Sequence, residues 1–185
     1  QPGIAGPANS DLGPALSSMN AILEPVNTSF EEAAAIPLAA MTAALGMYQR
    51  LELPEPWHAG EKPHDIPLVV YGGSSAVGAY AIQFAQRSNI HPVIAVAGRG
   101  AEYVEKLIDK SKGDTIVDYR DGPEAVVEGI KKALNGKQLF YCFDAISEKG
   151  SFQTMSKILA KGGKITLVLP GRDYSEIPDH VECSQ

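Results

Sequence analysis

The sequence is poor in cysteine, with only Cys142 and Cys183 among 185 residues. Two thiols build no disulfide scaffold and cannot complete a four-cysteine zinc site. The four histidines, His58, His64, His91 and His180, are scattered without ligand spacing, which favours surface or loop roles over a metal centre. No apolar run approaches the roughly 20 residues that cross a bilayer. The N-terminus is rich in glycine and proline, whereas a secretory signal is basic and then apolar. Positive charge is in deficit, 16 Lys and Arg against 22 Asp and Glu, for a net charge of −6. That balance argues against nucleic acid or an anionic membrane as a partner. Whole motifs are missing too. There is no G-x-x-x-x-G-K-[ST], so a P-loop phosphotransferase is excluded, and no G-x-S-x-G, so a hydrolase nucleophile elbow is unsupported. No tyrosine is followed four positions later by lysine, the proton-relay pair of short-chain reductases; Tyr103 and Lys106 have the wrong spacing.

What is present is the material of a folded protein. At 44% hydrophobic and 21% charged, the chain can bury a sizeable core and is too apolar for disorder. These features predict a soluble, cytoplasmic α/β domain. Residues 1–26 mix Pro, Gly, Asn and Ser without period and read as a linker or arm, with order starting around Met19–Val26. Residues 27–185 read as the domain. Ser29 with Glu32 three residues on forms a capping box, and Glu31–Leu51 reads as a helix interrupted at Pro37. Five strand runs follow: Leu68–Tyr71, Pro92–Ala97, Thr115–Val117, Leu139–Phe143 and Ile165–Leu169. Helical patterns over Val77–Ser88, Glu102–Lys110, Pro123–Leu134 and Phe152–Leu159 alternate with them, the last closed by Gly162-Gly163 as a C-cap. Alternation of this kind predicts a Rossmann-like, doubly wound parallel sheet with helices on both faces.

Chemistry concentrates in Gly73-Ser74-Ser75-Ala76-Val77-Gly78, after a strand and opening a helix. It fits the G-x-G-x-x-G dinucleotide frame with Ser75 in the middle glycine position. Helix amides and the helix dipole there would face a pyrophosphate; the competing reading is a tight turn with no ligand. An NAD-specific domain usually carries an acid at the end of the second strand. This sequence has Ala97-Gly98-Arg99-Gly100 instead. Arg99 is suited to a 2′-phosphate, with Tyr119 near the same adenosine end, so NADP is preferred over NAD. The alternative makes Arg99 a solvated cation and Tyr119 a packing residue. Cys142 reads as a buried core thiol. No catalytic constellation is visible.

Several runs in register resemble the cofactor domain of medium-chain dehydrogenase/reductases. They are Ser29–Pro37 with Thr42-Ala43, Val69–Gly78 with Ala81–Ala85, Asp118-Tyr119-Arg120, Phe143-Asp144, and Leu159–Lys164. The similarity runs from about Asn27 to Leu169 and is greatest to the zinc-independent branch, the quinone-oxidoreductase-like proteins and fungal trans-acting enoyl reductases. The resemblance implies hydride delivery from NADPH to an activated alkene or carbonyl of a small-molecule substrate. It implies Thr42 near the nicotinamide and Ser74 to Val77 on the pyrophosphate. Arg99 and Tyr119 would flank the 2′-phosphate, Ala145 and Ile146 the adenosine ribose or nicotinamide side, and Leu169 and Pro170 the nicotinamide ring. The β-rich, GroES-like catalytic domain of that family has no counterpart before Asn27, and its last strand is expected to be missing. The chain is therefore expected to be a cofactor-binding part, inactive alone. Two readings compete with it: a non-catalytic nucleotide-binding, regulatory or assembly module, which could form homo-oligomers through an exposed sheet edge, and a methyltransferase-like site, disfavoured by the same missing acid.

Overall fold

Strand residues from Leu68 to Tyr71 alternate between two cores: Leu68 and Val70 face one, Val69 the other. The same alternation recurs in the next strand, with Val93, Ala95 and Ala97 on one side and Ile94 and Val96 on the other. A strand buried on both faces needs apolar residues at every position, which is why these segments read as continuous runs. The computed structural model describes residues 29–185, Phe30 by its backbone only. The arm expected over residues 1–26 lies outside the described residues. The chain divides into two units, Gln1–Leu38 and Ala39–Gln185.

In the first unit, helix α1 (Phe30–Ala34) opens on the expected capping box. Ser29 Oγ accepts from the Glu32 amide at 3.2 Å, and Glu32 Oε2 accepts from the Ser29 amide at 2.8 Å. The break falls at Ala35, ahead of Pro37. Helix α2 (Ile36–Ala44) restarts with Pro37 in its first turn, where the missing amide hydrogen costs nothing. From Ala39 onward it belongs to the second unit, where it runs on into a π-helical turn, Leu45–Arg50.

The second unit holds a six-stranded parallel sheet: β1 (His64–Tyr71), β2 (Ile90–Ala97), β3 (Thr115–Asp118), β4 (Leu139–Asp144), β5 (Leu159–Leu167) and β6 (Glu182–Ser184), in the order 3-2-1-4-5-6. Between them run α3 (Ala76–Arg87), α4 (Ala101–Glu105), α5 (Pro123–Leu134) and α6 (Ser151–Ser156). One face of the sheet is covered by Ala81, Ile82 and Ala85 of α3, Val104 of α4, and Met47 and Leu51 around the π-turn. Val126, Ile130 and Leu134 of α5 and Phe152 and Met155 of α6 cover the other. The expected doubly wound fold is therefore what forms, and its strand order reverses between β1 and β4, where such folds open a crevice beyond the strand ends.

Two expectations are corrected. A sixth strand is present: β6 pairs with β5 through Lys164 against Glu182 and Thr166 against Ser184. Gly162-Gly163 does not cap a helix. Helix α6 ends at Ser156, and both glycines lie inside β5, in an irregularity where β4 advances from Leu139 to Tyr141 while β5 advances from Leu159 to Lys164. Gly162 has φ +79 there, and a Cβ on Gly163 would lie 2.9 Å from the Ala160 carbonyl oxygen. The pair sits in a bulge-like irregularity of the strand, which uses glycine for the same conformational reason as a cap.

Candidate functional site

Strand β1 delivers the chain to Gly72, whose φ of +80 turns it sharply. The tight turn falls on Gly72, one residue before the first glycine of the sequence frame. The amides of Gly72 and Gly73 both donate to the Val96 carbonyl at 3.0 Å, and Ser75 N donates to Gly72 O at 2.9 Å. Gly73 packs where a Cβ would lie 3.0 Å from Ile82 and 3.2 Å from Ala95. Ser75 caps α3, its Oγ accepting from Gly78 N at 3.0 Å. The Ala79 amide reaches the Ser75 carbonyl, while the amides of Ala76 and Val77 take no acceptor among the described residues. Gly78 is required by approach: a Cβ there would sit 2.2 Å from Gly72 O. The result is the compact strand–turn–helix corner that suits an anion, with open amides at a helix N-terminus.

A second wall is built by the loop after β4. Asp144 has no exposed surface, and its Oδ1 accepts from the amides of Ile146 and Ser147 at 2.9 Å each while Oδ2 accepts from Ser151 Oγ at 2.5 Å. Burial raises its pKa against the opposing pull of these bonds, because an ionised carboxyl loses more hydration than it regains. Ser147 Oγ donates to Asp144 O and accepts from Val168 N, both at 2.9 Å, tying the loop to the end of β5. Ile146 lies over the turn, where a Cβ on Gly72 would meet it at 2.6 Å. Between the walls is a cleft of about 340 Å³ lined by Tyr71, Gly72, Ser74, Ser75, Tyr119, Ile146, Glu148 and Lys149.

Ser74, Ser75, Tyr119 and Ile146, all singled out from sequence, thus meet in one cleft, with Gly73, Ala76, Val77 and Gly78 in the turn and helix behind it. Arg99 does not line it. It is exposed and makes no ion pair among the described residues, but its neighbours press against the cleft residues. A Cβ on Gly98 would meet the Tyr119 ring at 2.6 Å, and one on Gly100 would meet Ser74 at 2.4 Å. Arg120, beside Tyr119, is committed elsewhere: Nε to Asp118 Oδ1 at 3.0 Å and Nη2 to Oδ2 at 2.6 Å. That fork holds the Asp118 carboxyl down at about 2.

Ala145 is half-buried and donates its amide to Tyr71 O at 3.0 Å. Thr42 lines a separate cavity of about 160 Å³ with Gln49, Arg50 and Thr166–Val168. Leu169 and Pro170 line neither space; the Leu169 carbonyl accepts from Tyr174 Oη at 2.5 Å. Sequence reasoning missed Asp144, Glu148 and Lys149 as parts of the site. The available signal was an acid ending an apolar strand with Ser147 three residues on, the pattern of a carboxylate that closes a turn on its own backbone. Among the described residues, no group of three or more His, Cys, Asp or Glu could hold a metal ion, and no helix is long and apolar enough to cross a membrane.

Comparison with known proteins finds the zinc-binding dehydrogenase pattern over residues 76–177. The trans-enoyl reductase fsr4 of Gibberella fujikuroi is 53% identical over 161 residues, which is 86% of this chain and 48% of that protein. Among solved structures, the CurK enoyl reductase superposes with a TM-score of 0.68 at 20% identity, over 87% of this chain and 45% of its own. Mycobacterial Rv1454c, determined as a complex with NADPH, gives 0.65 at 19% identity, over 86% of this chain and 47% of its own. At such identities the structural likeness concerns the fold. The chain spans about half the length of the relatives it matches.

Proposed function

The chain belongs to the zinc-binding dehydrogenase family of the medium-chain dehydrogenase/reductase superfamily, and from that premise we propose that it is the NADPH-binding domain of an enoyl-type oxidoreductase. The observation that carries this reading is the corner at Gly72–Gly78, where glycine is demanded by contact and two helix amides are left open to an anion. A nicotinamide dinucleotide, when bound, supplies the hydride for reduction of an activated alkene, with quinone or carbonyl reduction as the neighbouring chemistry. The residues of this chain bind and orient it. The amides of Ala76 and Val77 and the Ser74 hydroxyl would hold the pyrophosphate. Tyr119 and Arg99 would take the adenosine 2′-phosphate, and Ile146 would close over the turn. Asp144 acts on the loop rather than on the ligand, fixing the amides of Ile146 and Ser147. Thr42 and the segment through Leu169 and Pro170 would serve the nicotinamide side.

NADPH over NADH is supported by the end of β2, which carries Arg99 and no carboxylate to grip a ribose 2′-hydroxyl. The named activity of the trans-enoyl reductase relative supports the enoyl class. Since the chain matches about half of that protein, turnover is proposed to require residues beyond these 185. Calorimetric titration tests the reading. NADPH should bind at least about tenfold more tightly than NADH, and Arg99→Glu should weaken NADPH by about tenfold or more while sparing NADH. Equal affinities, or a preference for NADH, would reject the 2′-phosphate assignment. The assembly reading rests on β6, a short strand at the edge of the sheet. A monomer at every concentration in sedimentation would reject pairing through that edge.

A further inference from the structure

The cleft contains a cation that the sequence pattern did not mark. Of its lining residues among the described ones Lys149 alone is basic, and it stands on the wall opposite Ser74 and Ser75. Among the described residues its ammonium has one loose partner, Glu148 at 3.7 Å, while Glu148 is also drawn to Arg172 at 3.3 Å from the segment after β5. Arg172 thereby offsets much of the charge that would otherwise repel an anion from this wall. The backbone is unusual at the same place. Ser147 and Lys149 both have φ +57, followed by Gly150 at +85. A left-handed conformation crowds the Cβ of a non-glycine residue against its carbonyl oxygen and is uncommon outside glycine. Such conformations persist where the surroundings hold them, commonly at ligand sites. Here Asp144, itself bonded by Ser151 Oγ, accepts from the amides of Ile146 and Ser147, and the Ser151 amide donates to the Glu148 carbonyl at 3.2 Å.

We infer that Lys149 is a second anion-contacting residue of the crevice, facing the helix amides across the cleft and binding the pyrophosphate of the dinucleotide. The inference rests on the dinucleotide reading above and deepens it by dividing phosphate recognition in two. Lys149, from the loop after β4, serves the group common to both nicotinamide cofactors. Arg99, from the end of β2, serves the group that distinguishes them. The ammonium is a point charge without required geometry, so arginine should replace it and a neutral amide should not.

The test uses the 185-residue chain with Lys149→Gln and Lys149→Arg, titrated with NADPH, NADH, ADP and adenosine. Lys149→Gln should weaken NADPH, NADH and ADP alike, by about fivefold to twentyfold, and leave adenosine unchanged; Lys149→Arg should restore affinity to within about threefold. The side chain is 83% exposed, so melting temperatures should match the parent and a loss of binding is not a loss of fold. Unchanged affinities for Lys149→Gln would overturn the inference and leave the dinucleotide reading standing. A loss confined to NADPH would overturn it as well, by moving the lysine to the 2′-phosphate. If the parent chain binds neither NADPH nor NADH, the dinucleotide reading falls and the lysine's role with it.

Discussion

Asp144 shows how a single buried acid organises a surface it never reaches. With no exposed area it accepts three hydrogen bonds, and its folded pKa is raised above the unfolded value of about 3.9. The folded state therefore keeps a proton that the unfolded chain gives up. This contribution is fully present below about pH 3.9 and is lost as pH rises through the raised folded value. Asn at this position can keep Oδ1 as acceptor for both amides and donate from its nitrogen to Ser151 Oγ, which accepts as readily as it donates. Urea midpoints measured across pH should accordingly show a stability difference between the parent and Asp144→Asn that moves in the variant's favour as pH rises. Parallel profiles would mean that Asp144 does not titrate in this window. Asp118 works in the opposite sense: Arg120 holds it at about 2, so its contribution is lost only as pH falls from about 4 towards 2. The two acids looked alike in sequence. Burial and a guanidinium set them apart, and neither follows from local pattern. Ser74 could be named from the glycine frame, and Tyr119 and Ile146 from the family resemblance, whereas Lys149 could not: it belongs to neither, and a loop far along the chain brings it to the cleft.

At the scale of elements, the corner between β1 and α3 depends on clearance. A methyl group on Gly78 would overlap the Gly72 carbonyl oxygen at 2.2 Å, and that oxygen already accepts from Ser75. Gly78→Ala should cost about 1–3 kcal/mol in chemical denaturation, the range for forced overpacking. Gly60→Ala, where the nearest atom is 3.9 Å away, should stay within about 0.5 kcal/mol. If the two variants were equally stable, the close approach would not govern the corner. The inner strands β1 and β2 were legible because burial on both faces writes an unbroken apolar run over Leu68–Val70 and Val93–Ala97. Strand β6, Glu182-Cys183-Ser184, carries no such signal, since it is mostly exposed and takes its conformation from the neighbour it pairs with. The bulge-like irregularity in β5 was misread because two glycines after an apolar helical face serve a cap and a bulge equally well. Helix α4 stops at Glu105 rather than Lys110, its lower half giving way to turns ahead of Asp114. That residue is buried and accepts from His91, Val93, Asp109 and Gln86, an arrangement no periodicity announces.

Across the whole molecule, the strand order gives each pairing a different entropic cost. Leu68 of β1 meets Val93 of β2 across one helix, but meets Tyr141 of β4 only after β2, β3 and three helices have intervened. The second closure spans roughly three times the chain length and costs about 1 kcal/mol more in loop entropy. Refolding should therefore build β1, β2 and β3 ahead of the β1–β4 seam. Stopped-flow measurements should show a circular dichroism signal leading the recovery of NADPH binding, and simultaneous recovery would refute this order. The reversal of strand order between β1 and β4 has so far been described as the place where a crevice opens. It is also the join with the longest stretch of chain between its two strands. A ligand that bridges Ser74 on one side and Lys149 on the other can be held only by a chain that has finished folding, so occupancy of the crevice doubles as a certificate that both halves of the sheet have met.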